Sequence, residues 1–407
     1  MAILHYGHNS TVQLEFADGV APDESGTPRG CGLADPAAAL TAMLAEPIDY
    51  PALARATTPG DKVVLALEHG VPQVEQVTAA VIRTLVDAGV APDGITVLRS
   101  HADRDAGDPC RLAATPVRER ITLLTHDPSD RRQLAYLAAS EAGDAILINR
   151  ALHDADLVLP VGCLRGDRTA GYFGIHSGIF PAFSDTRTIQ RFRSLDSLNG
   201  RAGRRRQLNA EVDHVAWLLG VNFTIQLVPA AGDQVLHVLA GESNAVRRQG
   251  KELYRAAWSC PVAHQASLVV AAIEGGASQQ TWENVGRALH VAKHFVEDGG
   301  AIALCCDLAA PPGPAMQYMA STSSREAALR QVSKERPVDA LPAAQLARAL
   351  DGSKVYLLSC LEASVVEDLD IIPIEGPDEL ARLVHRHESC ILLTNAPYVT
   401  AVEHHHD

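Results

Sequence analysis

"KVVLALEHGVPQVEQVTAAVIRTLVDAGVAPDGITVLRSH" runs from Lys62 to His101. The apolar run at 62–70 has the length and β-branched content of a buried strand. An amphipathic helix is expected over 73–88, closed by Gly89, and a second strand over 93–101. A strand–helix–strand unit of this length implies a parallel pair, because the crossover returns the chain to the same end of the sheet.

Outward from this unit the alternation continues. Strands are expected at 118–128, 143–152 and 155–164, and a hairpin over 222–241 that turns near Gly232. Asp35 followed by Pro36 opens a helix over 36–45. Further helices are expected at 209–220 and 243–258, the second linking two halves. The pattern then restarts. Strands at 265–276, 299–308, 353–361 and 389–397 alternate with helices at 281–296, 341–350 and 376–387. Residues 4–16 alternate weakly and read as an antiparallel hairpin. The expected fold class is α/β. Two domains, 1–258 and 259–407, each carry a largely parallel sheet flanked by helices, with an interdomain cleft between them.

Composition narrows the function classes. Hydrophobic residues make up 47% and aromatic residues only 4% of the chain, a mix suited to parallel sheets covered by Ala-rich helices. The net charge of −14 argues against a nucleic-acid partner. The run "RAGRRR" (Arg201 to Arg206) is a local exception, either a solvated loop or an anchor for a phosphate or polyanion. No uncharged apolar run is long enough to cross a bilayer, so no membrane partner is expected. "MAILHYGHNS" has no charged segment followed by an apolar one, and no signal peptide is expected. The eight cysteines form no CxxC pair and read as free thiols of a cytoplasmic protein.

In open α/β sheets ligands gather beyond the carboxyl ends of the strands. That rule nominates Glu68 and His69 after the first strand, His101 after the second, His126 after the third, and Arg165, Asp167 and Arg168 after the strand at 155–164. Glu274, Gly275, Gly276 and Asp307 are the counterparts in the second half. Imidazoles are suited to proton transfer near neutral pH and to binding nickel or zinc. Arg165 and Arg168 are candidates to clamp a carboxylate or phosphate. The turn "TAGYFGIHS", with Thr169, Gly171, Gly174 and Ser177, offers backbone N–H groups to a phosphate, or is simply a tight strand-to-helix turn.

Three stretches carry a family resemblance: "HDPSDRRQLAYLAASEAGDAILINRALHDADLVLPVG" (126–162), "AGYFGIHSGIFPAFSDTRTI" (170–189) and "FVEDGGAIALCCDL" (295–308). Together with "WLLGVNFTIQLV" (217–228) they resemble the lactate racemase family, whose members use a nickel-pincer nucleotide cofactor. The resemblance implies two histidines as proton acceptor and donor. His101 matches one, and Asp167 stands at the other. The lysine that tethers the cofactor falls at Ser177, beside His176, and Arg193 stands where a histidine binds nickel. The family's substrate-clamping acid and arginine fall in "EHGVP", at Glu68 and Val71, and a lysine of the second half falls at Gln279.

The expected catalytic residues are thus His101, Asp167 and His176. Thr169, Gly171, Gly174, Ser177 and Arg193 are expected to line a cofactor. Glu68, His69, Arg165, Arg168 and Gln279 are expected to hold a substrate, and His176 is the candidate metal ligand. The replacements at Ser177 and Arg193 argue against the family's tether and nickel ligand, and hence against lactate itself as substrate. The expected function is a racemase or epimerase acting on a 2-hydroxy acid or related acid. The alternatives are a non-catalytic binding protein for an acid or nucleotide, and a different enzyme holding a metal at His69, His101 and His176.

Overall fold

The computed structural model describes residues 1–16, 22–140, 143–167, 169–199, 202–322 and 324–403. Two six-stranded sheets organise the chain. In spatial order the first runs Val235–Glu242, Phe223–Pro229, Leu157–Cys163, Val63–Leu67, Ile95–Arg99 and Thr122–Thr125. All neighbours are parallel except the edge hairpin of Phe223–Pro229 with Val235–Glu242. The second runs Ile372–Ile374, Lys354–Leu358, Val296–Cys305, Ala266–Ala272, Cys390–Leu393 and Asp23–Ser25, all parallel. The opening strand–helix–strand unit forms as read, with helix Val74–Asp87 between parallel partners.

The central strands are apolar on both faces because both faces are covered. Val63, Leu65 and Leu67 enter one core, whereas Val64 and Ala66 enter another. Val269 and Ala271 likewise part from Leu268, Val270 and Ala272 in the second sheet. Successive side chains of a strand point to opposite faces, so each strand serves two cores. The core holding Val269 also takes in Leu164, Val228 and Trp258, and so joins the two sheets.

Helix Pro36–Ala45 starts where Asp35 accepts the Ala38 N–H at 2.9 Å. Helix Ser243–Trp258 links the halves over the expected residues.

Two expectations are corrected. The strand expected at 143–152 forms as Ala145–Asn149, but outside the parallel sheet: it pairs antiparallel with Leu134–Ala139. Only five residues, 140–144, join the two strands, too few for the crossover a parallel pair needs, so only a ribbon can form. The hairpin Ala2–Tyr6/Ser10–Leu14 forms, yet Leu4 and Leu14 pack against Leu268 and Val270, and Asp23–Ser25 extends the second sheet beside Cys390–Leu393. These first residues therefore side with the stretch after 258 rather than the one before it. Among the described residues no helix is long and apolar enough to cross a membrane.

Candidate functional site

Each sheet reverses its order of growth next to its central strand. In the first, the chain grows outward from Val63–Leu67 and then returns as Leu157–Cys163 on the other side. The carboxyl ends of these two strands deliver Glu68 and Arg165 to one place, as the switch-point rule requires. In the second, Ala266–Ala272 and Cys390–Leu393 deliver the loops that hold Gln279 and Tyr398. The two sets of strand tips meet. Gln279 donates to the Gly70 carbonyl at 3.2 Å and accepts from the Tyr398 hydroxyl at 3.0 Å, and the Arg165 guanidinium lies 5.4 Å over the Tyr398 ring.

Glu68 is seated by two glycines. A Cβ at Gly162 would lie 2.7 Å from its carboxylate, and one at Gly178 would lie 3.0 Å from its own Cβ, so a side chain at either position would crowd Glu68. Its carboxylate accepts the Cys163 N–H at 3.0 Å. Burial raises its pKa above the usual carboxylate range, and that N–H with the Arg165, Arg287 and His69 charges only partly offsets the rise.

The helix Trp282–Phe295 adds Glu283 and Arg287. Glu283 is paired with Arg193 and lies 3.7 Å from Arg287. Burial pushes the Glu283 carboxyl up, but Arg193, Arg287, His69 and Arg165 outweigh it and hold it down at about 2. Burial and the Arg165 charge push Arg287 down to about 10. His69 donates from Nδ1 to Asp103 at 2.7 Å, which orients its ring. Arg165 is only 8% exposed, and its Nη1 has no hydrogen-bond partner.

The structure thus gathers Glu68, His69, Arg165, Arg193 and Gln279. It does not bring His101 to them. His101 Nδ1 reaches the His126 carbonyl at 3.3 Å, and its Nε2 accepts from Arg104 at 2.9 Å. Its contribution is indirect, through Asp103 of the same short turn, which orients His69. His126 is a core residue bound to Ser184 O and Asn149. Asp307 accepts from His8 N and Ser10 Oγ, and so fixes the first hairpin. Glu274 accepts from Asn395 at 2.8 Å.

The glycine turn adjoins this cluster at Ala170, whose carbonyl accepts from Arg287 at 3.4 Å. Asp167 pairs with Lys251 at 2.5 Å, and Arg168 lies outside the described residues. Thr169 closes a turn by donating its N–H to Gly166 O, and Gly171 and Gly174 take φ of +77° and +100°. The Ser177 hydroxyl donates to Gly174 O at 2.7 Å. Arg205 holds the turn through the carbonyls of Thr169 and Tyr172. His176, 5% exposed, donates from Nδ1 to Asp213 at 3.1 Å, with Nε2 unpartnered. Although burial raises it, Asp213 is held at about 2 by His176 and Arg247. Among the described residues no three histidine, cysteine or carboxylate side chains converge to hold a metal, at His176 or elsewhere.

Sequence reasoning missed Glu283 and Arg287. One signal was available: two charges four residues apart on a helix whose other residues are largely apolar. Asp103 lies in the loop that the strand-end rule nominates after the second strand, whereas Asp213, brought in by long-range packing, carried no signal.

Residues 8–203 match the model of the lactate racemase N-terminal domain. No curated protein matches the chain. Among solved structures, the lactate racemase apoprotein from Thermoanaerobacterium thermosaccharolyticum is similar over 99% of this chain and 100% of its own, at 15% identity and a TM-score of 0.75. A protein from Thermotoga maritima is similar over 91% and 99%, at 14% identity and a TM-score of 0.65. These two likenesses concern the fold. Over residues 8–203 the chain is thus similar to the lactate racemase N-terminal domain, and over its whole length it shares the fold of the racemase apoprotein.

Proposed function

We propose that the strand-tip cluster binds the carboxylate of a small acid, a 2-hydroxy acid or a related compound. One observation carries this reading: Arg165 is buried with an unpartnered Nη1, beside Glu68, whose raised pKa favours a neutral carboxyl. A buried guanidinium without a full set of acceptors is destabilising, and a ligand carboxylate supplies them in bidentate geometry. Glu68, when protonated, donates to that carboxylate or to the adjacent hydroxyl. His69 Nε2 accepts the hydroxyl proton, with Asp103 fixing its ring.

The family's nickel-pincer nucleotide does not fit these residues. The Ser177 hydroxyl is bound to Gly174 O, and Arg193 is committed to Glu283. A permanently protonated guanidinium is no metal ligand. No step is therefore routed through that group.

A second reading is favoured by one feature. Glu68 and His69 are adjacent acid and base with different environments, the arrangement that proton-transferring isomerases use. On this reading His69 removes the C2 proton and protonated Glu68 returns one to that carbon, so that a racemase or epimerase reaction balances without an external hydride acceptor.

Thermal unfolding with D- and L-2-hydroxy acids of three to six carbons tests binding: stabilisation that rises with ligand concentration is expected, and Arg165→Met abolishes it. No stabilisation by any of them refutes the proposal. Chiral analysis after incubation decides between the readings, since interconversion of enantiomers supports the second.

A further inference from the structure

Beyond Arg165 the cluster opens into a groove of about 940 Å³ between the glycine turn, the helices Ala202–Leu218 and Ser243–Trp258, and the last strand Thr400–Glu403. Its volume is that of a small-molecule site. Its charge is unlike the rest of this acidic chain. Arg165, Arg205, Arg206, Arg247, Lys251 and Arg255 line it. The opposing carboxylates are Asp167, Asp213 and Glu403. Each has a cationic or histidine neighbour in the groove: Lys251 for Asp167, Arg247 for Asp213 and His294 for Glu403. Lys251 and Arg255 share the single carboxylate Asp167, Arg255 at 3.7 Å. Asn209 Oδ1 and Arg247 Nε are buried on the wall without partners, and the nine-tenths-buried Arg165, with Nη1 unsatisfied, faces the inner end. Arg206 comes from the arginine run singled out in the sequence.

We propose that this groove is a binding site for a small ligand carrying a diphosphate group, of nucleoside-diphosphate size. Phosphate oxygens supply acceptors to the spare guanidinium and ammonium donors in the geometry arginine favours. Tyr172 and Phe173 line the same wall and offer an apolar face to the rest of the ligand. A volume of about 940 Å³ suits one small ligand better than a polymer. Arg206, Lys251 and Arg255 carry the proposal without the acid reading, which it meets only at Arg165.

Calorimetric titration of the full chain with pyrophosphate, with ADP and with a 12-nucleotide single-stranded RNA, at 50 and 300 mM salt, tests it. Saturable binding of pyrophosphate and ADP is expected. It weakens at the higher salt, as charge screening requires, and falls at least tenfold in Lys251→Glu/Arg255→Glu. Both side chains are largely exposed, so the variant folds, and an unchanged melting temperature verifies this. Absence of saturable binding, an unchanged affinity in the variant, or tighter binding of the RNA than of ADP overturns the proposal. The same variant is expected to keep its stabilisation by 2-hydroxy acids, whereas Arg165→Met loses it. Failure of the acid site and failure of the groove therefore give different patterns.

Discussion

Replacing Glu283 by glutamine removes the carboxylate that Arg193 and Arg287 share. The Glu283 carboxyl is held at about 2 against its ordinary 4.5, so its ionised form contributes about 3 kcal/mol to folding at pH 7. The pKa is lowered in the folded state, so this contribution is full above pH 4.5 and is lost as pH falls toward 2. At pH 3 less than half of it remains. The loss of Arg287's partner acts in the same direction. Its guanidinium is already disfavoured by burial and by Arg165, and without Glu283 it becomes an uncompensated buried charge. Glu283→Gln is expected to lower the melting temperature at pH 7 by roughly 3–4 °C for a chain of this length, at about 2 cal/mol/K per residue. Glu283→Gln/Arg287→Met should recover at least half of that, because removing both buried charges is far less damaging than removing one. Arg193, a third exposed, can turn to solvent. Calorimetry at pH 7 and pH 3 measures all of this. A single variant within 1 °C of the parent at pH 7, a loss that does not shrink at pH 3, or a double variant worse than the single refutes the reasoning.

Affinity for 2-hydroxy acids should rise as pH falls through the raised pKa of Glu68, because the neutral carboxyl no longer repels the ligand; Glu68→Gln should flatten the profile from pH 5 to 8, measured by thermal shift. Protein matured with the nickel-pincer pathway should hold far less than one nickel per chain by elemental analysis, and a stoichiometric content would overturn the misfit assigned to Ser177 and Arg193. Asp213→Asn should loosen the anchor on His176 and Arg247 and speed chymotrypsin cleavage after Tyr172 or Phe173 in the glycine turn; unchanged cleavage would show that Arg205 alone holds it. Gly162→Ala should destabilise the chain by about 1–3 kcal/mol, because its methyl meets the Glu68 carboxylate.

The repeating apolar strands and amphipathic helices were legible because each has its own period and length, as at Val63–Leu67 and Val74–Asp87. Asp23–Ser25 was not, since a three-residue polar edge strand has no period to read. Ala145–Asn149 was legible as a strand but not in its partner, because pairing direction depends on the connection and not on the strand itself. In the site, Glu68 and Arg165 followed from the rule about strand ends. His101 obeys the same rule, yet its ring turns to Arg104 and the His126 carbonyl, and only side-chain packing determines that. The pairing of Arg193 with Glu283 joins positions ninety residues apart and leaves no local trace.

The strand Asp23–Ser25 has a practical bearing on dissection of this molecule. A fragment starting at Ser259 would carry its sheet with the Cys390–Leu393 backbone unclaimed along one side and the apolar patch around Leu268 stripped of Leu4 and Leu14. Such a raw edge invites self-association. A soluble fragment calls for a circular permutation in which residues 1–28 are spliced after the last strand, so that the excised piece takes its own border with it.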